Sequence, residues 1–115
     1  MLKSLFRFHR RNAIQYVYKK GRSVRHGQLS LKFVANNRPE SRFGVVVAKK
    51  VDKRAVKRNR IRRRIYEVLR KNWDGVSPGV DVLVTVFDKE VAAKPAAELE
   101  AEVLGLLKKA QLFKG

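Results

Sequence analysis

The segment 57–64, KRNRIRRR, places six Lys or Arg side chains within eight residues. In a helix such a cluster repels itself at spacings of three and four residues, so we expect an anionic partner to offset the repulsion. Guanidinium groups form paired, charge-assisted hydrogen bonds with phosphate, and Asn59 can also donate to a base edge or a 2′-hydroxyl. The cluster therefore predicts recognition of nucleic acid. An ordinary solvated helix is the alternative, but its charges would normally alternate in sign, and only Glu67 balances these.

The charge of the whole chain points to the same kind of partner. It has 28 Lys and Arg against 10 Asp and Glu, a formal net charge of +18. A polyanion relieves the resulting self-repulsion, and each phosphate contact also releases counterions. Residues 1–71 hold 23 basic and 3 acidic side chains, whereas residues 72–115 hold 5 and 7. We therefore predict that the first part carries the binding surface and that the last part is mainly scaffold.

Residues that could perform catalysis are not apparent in the sequence. There is no nucleophile–base pair and no carboxylate constellation, so we expect no catalytic residue in the polypeptide. His9 and His26 are too few and too isolated for a metal site, and cysteine is absent. We expect no metal or other cofactor bound by the protein alone, and no small-molecule substrate.

Length and hydropathy indicate a small globular protein. We expect one domain over residues 1–115, and 44% hydrophobic residues suffice for a modest core. No apolar run approaches the roughly 20 residues that span a bilayer, and the first residues lack the apolar stretch of a signal peptide. We expect a cytoplasmic protein with no membrane partner, which fits the lack of cysteine.

The elements that must position the basic segment follow from hydrophobic periodicity. Ile61, Ile65, Val68 and Leu69 form one apolar stripe of a helix that contains the cluster. The run at 42–48 is almost purely β-branched and predicts an interior strand covered on both faces. The order is α-β-β-α-β-α, or α-β-β-β-α-β-α if the first strand region splits, and the class is α+β. The predicted helices lie at about 13–20, 56–71 and from 95 onward, and the predicted strands lie at 22–35, 42–48 and 80–87.

Three further side chains have two possible interpretations each. Tyr18 can stack an unpaired base or pack in the core beneath its short helix. Lys32 lies on the strand face opposite Leu31 and Phe33, where it is either solvated or in contact with a phosphate. Trp73 is interpreted as a core residue rather than a stacking platform.

The order of strand, loop and basic helix resembles the protein subunit of bacterial ribonuclease P. Gly44-Val45-Val46-Val47-Ala48-Lys49-Lys50 followed by Ala55-Val56-Lys57-Arg58-Asn59-Arg60-Ile61-Arg62-Arg63 is similar to that family's signature. The pattern Ile14-x-x-Val17-Tyr18-x-x-Gly21 is similar to its first helix. The strand from Asp81 and the final helix also fit, so the resemblance covers nearly the whole chain.

The resemblance implies a fold and a function. The fold would be like the second domain of ribosomal protein S5, with a left-handed βαβ crossover that carries the basic helix, although most crossovers are right-handed. The enzyme removes the 5′ leader of precursor tRNA by metal-assisted hydrolysis, with a catalytic RNA subunit and magnesium held with that RNA. The implied partners are ribonuclease P RNA and precursor tRNA, whose single-stranded leader would pass through a cleft between the first helix and the sheet.

Site residues follow from the resemblance position by position. The residues implied to contact RNA are Lys49, Lys50, Lys53, Lys57, Arg58, Asn59, Arg60, Arg62 and Arg63. The residues assigned to the leader cleft are Ile14, Tyr18, Lys32 and Tyr66. The family commonly has Phe in place of Ile14, an aromatic residue in place of Lys32, Arg in place of Tyr66 and Ser in place of Ala48. The cleft is therefore expected to be less aromatic and to depend more on charge.

Two other classes of protein would also be strongly basic. A ribosomal or other structural RNA-binding protein would explain the charge equally well, but would not need this order of strand, Lys-Lys loop and helix. A helix-turn-helix DNA-binding module would need two adjacent helices, whereas strands are predicted on both sides of the basic helix.

Overall fold

The structure, a computed structural model, describes residues 11–113 and the side chains from residue 16 onward. Its seven main elements follow the predicted order with the first strand region split in two. Gly27, with φ of 62°, lies in the two-residue turn that divides this region. The elements are α1 (Arg11–Lys20), β1 (Arg22–His26), β2 (Leu29–Ala35), β3 (Arg42–Val47), α2 (Ala55–Asn72), β4 (Val80–Val86) and α3 (Ala96–Lys109).

The four strands form one mixed sheet in the order β1-β2-β4-β3. β2 pairs antiparallel with both β1 and β4, whereas β3 and β4 are parallel. Helix α2 connects this parallel pair, so the basic helix lies in a βαβ crossover. The α+β class and the element order are confirmed. The likeness to ribosomal protein S5, the left-handed crossover and the single domain stay predictions.

The position of β3 in the sheet differs from the prediction. The run at 42–48 was expected to form an interior strand, but β3 lies at an edge of the described sheet, and the interior strands are β2 and β4. Phe43, Val45 and Val47 on one face are nevertheless buried, and Val46 on the other face is half-buried. A β-branched run predicts that the side chains on both faces of a strand are covered. It does not predict whether the strand has one or two hydrogen-bonded neighbours.

One face of the sheet packs against α2 and α3 to form the main core. The apolar stripe predicted for the basic helix is buried there, as are Leu99, Val103 and Leu106 of α3. Trp73 packs partly buried against this core, edge-on to Phe43 at 5.3 Å between ring centroids. The main core therefore anchors the inner side of α2 and leaves its outer side to solvent.

The other face of the sheet, here called the α1 face, carries a smaller apolar cluster. Val17 of α1 and Leu83 of β4 are fully buried against each other, with Val34 and Val46 half-buried around them. At 1.5 Å per residue, α1 is about 15 Å long, whereas a seven-residue strand is about 23 Å long. Helix α1 therefore spans only part of this face.

Candidate nucleic-acid interface

The loop between β3 and α2 is braced by Asp52. Its carboxylate accepts hydrogen bonds from the backbone N–H of Arg54 at 2.9 Å and from the Arg54 guanidinium at 3.1 Å. These bonds lower the pKa of Asp52 to about 2. Val51 is buried beneath the loop, while Lys49, Lys50 and Lys53 are exposed above it. The hydrogen bonds of Asp52 therefore tie the loop to the residue just before α2, and the three lysines of the loop are exposed to solvent.

Arg58, in the first turn of α2, also binds the loop between β3 and α2. Its Nη1 donates to the carbonyl oxygens of Asp52 and Lys53, both at 2.9 Å. This half-buried side chain was predicted to contact RNA, and the structure shows that one end of its guanidinium holds the loop. Any contact of Arg58 with RNA would have to use its other nitrogens.

The outer side of α2 presents a compact basic surface. Asn59, Arg60 and Arg63 are exposed, and Lys57 and Arg62 are half-buried beside them. Arg62 donates to Oδ1 of Asn59, so the Asn59 amide nitrogen is the atom that can donate to a phosphate or a 2′-hydroxyl. The exposed members of this set and the loop lysines are here called the exposed basic surface: Lys49, Lys50, Lys53, Asn59, Arg60 and Arg63.

Two other arginines of α2 are engaged within the protein. Arg64 donates to the carbonyl oxygens of Val91 at 2.7 Å and Ala92 at 2.8 Å, and also to that of Lys94. Arg70 pairs with Glu67, and the Arg70 Nε–Glu67 Oε1 distance is 2.9 Å. This hydrogen bond lowers the pKa of Glu67. Fewer arginines of α2 are therefore available to a ligand than the number of arginines in its sequence suggests.

The α1 face brings together two residues predicted for the leader cleft. Lys32 Nζ lies 4.7 Å from the centroid of the Tyr18 ring, within the range of a cation–π interaction. Tyr18 is 41% exposed, and the neighbouring Val17 fills the core beneath α1 instead. The fold thus places Tyr18 and Lys32 side by side, with the ring accessible to a ligand.

The other two residues assigned to the cleft are not placed with them. The side chain of Ile14 lies outside the described residues. Tyr66 is partly buried and packs against the main core on the opposite side of the sheet from Tyr18. The structure shows no contact of Tyr66 with Tyr18 or Lys32, and the assignment of Tyr66 to the cleft stays a prediction.

A second cation–aromatic pair on the α1 face was not predicted from the sequence. Arg25 lies with its guanidinium carbon 4.7 Å from the centroid of the Phe87 ring. Phe87 is 43% exposed although it directly follows the apolar strand β4. The available signal was alternation: Val86 is buried in the main core, so the next side chain projects to the other face.

Other kinds of site are absent from the part of the chain that the structure describes. Within residues 11–113 there is no group of three or more His, Asp or Glu side chains placed to hold a metal ion. Within the same range, no helix has the length and apolar character needed to cross a bilayer. Helix α2 is preceded and followed by strands, so it is not part of a helix-turn-helix.

Comparisons with known proteins agree on one family. The ribonuclease P family model matches residues 2–111. The ribonuclease P protein component of a Pseudanabaena species is 38% identical over 117 residues, which cover 100% of this chain and 99% of the relative. That of Clostridium kluyveri is 38% identical over 112 residues, or 96% of this chain and 98% of the relative.

Solved structures give the same result for the fold. The RNase P protein of Staphylococcus aureus superposes with a TM-score of 0.81 at 27% identity, covering 95% of this chain and 98% of that one. The RNase P protein of Thermotoga maritima gives a TM-score of 0.81 at 26% identity, with the same two coverages.

Proposed function

Since this chain belongs to the ribonuclease P protein family, we propose that it binds the enzyme's catalytic RNA through α2 and the 5′ leader of precursor tRNA through the α1 face. A ribonuclease P protein component is part of a tRNA-processing ribonucleoprotein, so an RNA partner follows from family membership. The assignment of two RNA segments to two surfaces is the finer proposal.

The observation that carries this proposal is that the two surfaces lie on opposite sides of one sheet. Asn59, Arg60 and Arg63 of the exposed basic surface project from α2, which packs on the main-core face, whereas Tyr18 and Lys32 lie on the α1 face. Two RNA segments can therefore be held at the same time without competing. This is what a subunit needs if it binds the catalytic RNA and also guides a substrate strand.

The chemistry of each surface suits its proposed ligand. The exposed basic surface offers guanidinium and ammonium groups, which bind backbone phosphate irrespective of sequence. The α1 face offers an accessible ring beside a cation, an arrangement that stacks an unpaired base and attracts its phosphate. A leader is single-stranded, so its bases are available for such stacking.

The polypeptide assists and does not itself cleave. Metal-assisted hydrolysis, with magnesium held by the RNA subunit, supplies the bond-breaking chemistry. The protein contributes charge neutralisation and leader binding, with no catalytic residue, cofactor or small-molecule substrate of its own. We place this activity in the cytoplasm, where precursor tRNA is processed in bacteria.

Reconstitution tests the proposal directly. Purified protein is added to a bacterial ribonuclease P RNA, and cleavage of precursor tRNA is measured at a magnesium concentration too low for the RNA alone. We expect the protein to restore accurate cleavage and RNA-free protein to cleave nothing. Failure of the folded protein to stimulate the RNA would contradict the proposed function, and cleavage by rigorously RNA-free protein would contradict the division of labour.

A further inference from the structure

We propose that Arg25 and Phe87 form a second base-stacking position for the leader, at one end of the α1 face, whereas Tyr18 and Lys32 lie nearer its middle. This inference rests on the proposed function, because it assumes that the α1 face binds single-stranded RNA. It adds a second point of contact on the strand and therefore predicts how binding depends on leader length.

The register of the strands places both pairs on the same face. Val24 pairs with Leu31 and packs with it against the main core, so the next residue, Arg25, projects to the α1 face opposite Ser30. The Phe87 ring must share that face, because the Arg25 guanidinium lies over it. The backbone N–H of Phe87 donates to the Gln28 carbonyl oxygen at 3.1 Å and continues the ladder between β4 and β2.

The two pairs are too far apart to contact one nucleotide. Phe87 is level with Gln28, four residues along the chain from Lys32, which corresponds to about 13 Å at 3.3 Å per residue. Stacked bases of one strand are separated by about 3.4 Å. A single strand that touches both pairs therefore spans several nucleotides across the face.

The two pairs are built alike. Each aromatic residue is a little over two-fifths exposed, at 41% for Tyr18 and 43% for Phe87. Each ring has a cation 4.7 Å from its centroid. A ring fixed by a cation on one side stacks a base at small cost in side-chain freedom, and the cation is placed to meet the adjoining phosphate.

The acidic residues that follow Phe87 have partners within the protein. The Asp88 carboxylate accepts from the backbone N–H of Glu90 at 2.9 Å and so caps the short 3-10 turn Lys89–Ala92. The Glu90 carboxylate lies 3.5 Å from the side-chain nitrogen of Gln28. The Arg25 guanidinium is exposed and lies over the Phe87 ring, so a cation is present at the proposed stacking position.

The test measures affinity of the reconstituted holoenzyme for precursor tRNAs whose leaders are shortened one nucleotide at a time. We expect the wild-type protein to lose affinity in two separate steps. Phe87→Leu should abolish one step and Tyr18→Leu the other, each by about 5- to 150-fold, the range for one base–aromatic stack. Arg25→Gln should weaken the same step as Phe87→Leu, and it serves if the Phe87 variant does not fold. Tyr16→Leu, which removes another exposed ring of α1, should leave both steps in place.

Three results would overturn the inference. Folded Phe87→Leu could keep the full two-step profile, or both ring variants could remove the same step. Phe87→Leu could also weaken mature tRNA, which lacks a leader, as much as precursor tRNA. A wild-type holoenzyme that cleaves but ignores leader length would contradict the α1 face as leader site, whereas one that does not cleave would contradict the proposed function itself.

Discussion

Arg64 donates a hydrogen bond of 2.7 Å to the carbonyl oxygen of Val91, and through this bond the basic helix holds the turn that follows β4. The adjacent Arg63 is exposed on the outer side of the same helix. Two neighbouring arginines of one cluster therefore have different tasks, one within the fold and one toward a ligand.

The first prediction separates these tasks by measuring stability. Arg64→Ala leaves partly buried carbonyl oxygens without their donor, so the free energy of unfolding should fall by about 1–3 kcal/mol. Arg63→Ala, the matched control, should change it by no more than about 0.5 kcal/mol. Urea denaturation of both variants measures the difference. Equal losses would show that the bonds of Arg64 to the turn contribute nothing particular.

The second prediction concerns phosphate contacts of the exposed basic surface. If Arg60 and Arg63 each meet one phosphate, the double Ala variant should reduce the slope of log affinity against log salt by roughly 1.4 to 1.8, at about 0.7 to 0.9 per contact. Affinity for ribonuclease P RNA is measured at several salt concentrations. Replacing Lys108 and Lys109 of α3 by Ala removes the same charge elsewhere and should leave the slope unchanged. An unchanged slope with a collapsed melting temperature in the Arg60/Arg63 variant would show that these arginines are structural.

The third prediction concerns the ring of Tyr18. Tyr18→Ala should weaken binding of precursor tRNA by about 1–3 kcal/mol, because the ring is exposed and stacking contributes in this range. Mature tRNA should bind as before. Tyr16→Ala, on the same helix but pointing away from Tyr18, should affect neither substrate. Equal losses for precursor and mature tRNA would mean that Tyr18 supports the fold and does not stack on a leader base.

The fourth prediction concerns the acid stability of the loop before α2. The pKa of Asp52 is about 2 in the folded protein, against 3.8 for an unperturbed group. A lowered pKa stabilises the fold fully above the unperturbed value, and this contribution disappears as the pH falls toward the folded value. Asp52→Asn keeps an acceptor but removes the charge.

Wild-type protein should therefore be more stable than Asp52→Asn at neutral pH, and the difference should shrink as the pH falls from about 4 to about 2. Thermal melts of both proteins across this range measure it, and added salt should reduce the difference as well, because the pair is at the surface. A difference that stays constant with pH would show that the charge of Asp52 does not brace the loop.

Much of the scaffold could be predicted from the sequence because periodicity reports burial directly. The stripe of Ile61, Ile65, Val68 and Leu69 located α2, and alternation around Leu31 located β2. Strand neighbours could not be predicted in this way, since hydrogen-bond partners leave no periodic signal. The prediction of an interior position for β3, which lies at an edge of the sheet, is the resulting error.

The site was predicted only in part, for a related reason. Arg63 and Arg64 look alike in the sequence, and what distinguishes them is contact with backbone some 27 to 30 residues further along the chain. Phe87 was predicted only as the last residue of the strand at 80–87. Its exposure depends on how much of the sheet α1 covers, and the sequence of the strand does not record this. Tyr66 was assigned to the cleft through the resemblance alone, and its half-buried side chain packs against the main core.

The central position of β4 has a consequence for synthesis of the chain. β2 and β3 both pair with β4 and lie on either side of it, yet both precede it in the sequence. A ribosome therefore completes the basic helix before it synthesises β4, the strand that links β2 to β3. Until residue 86 has emerged, the sheet is not closed, although 23 of the 28 basic residues have already been synthesised. Pairing across such sequence separations is slow. The growing polypeptide thus presents its polyanion-binding groups before it has a stable fold to hold them.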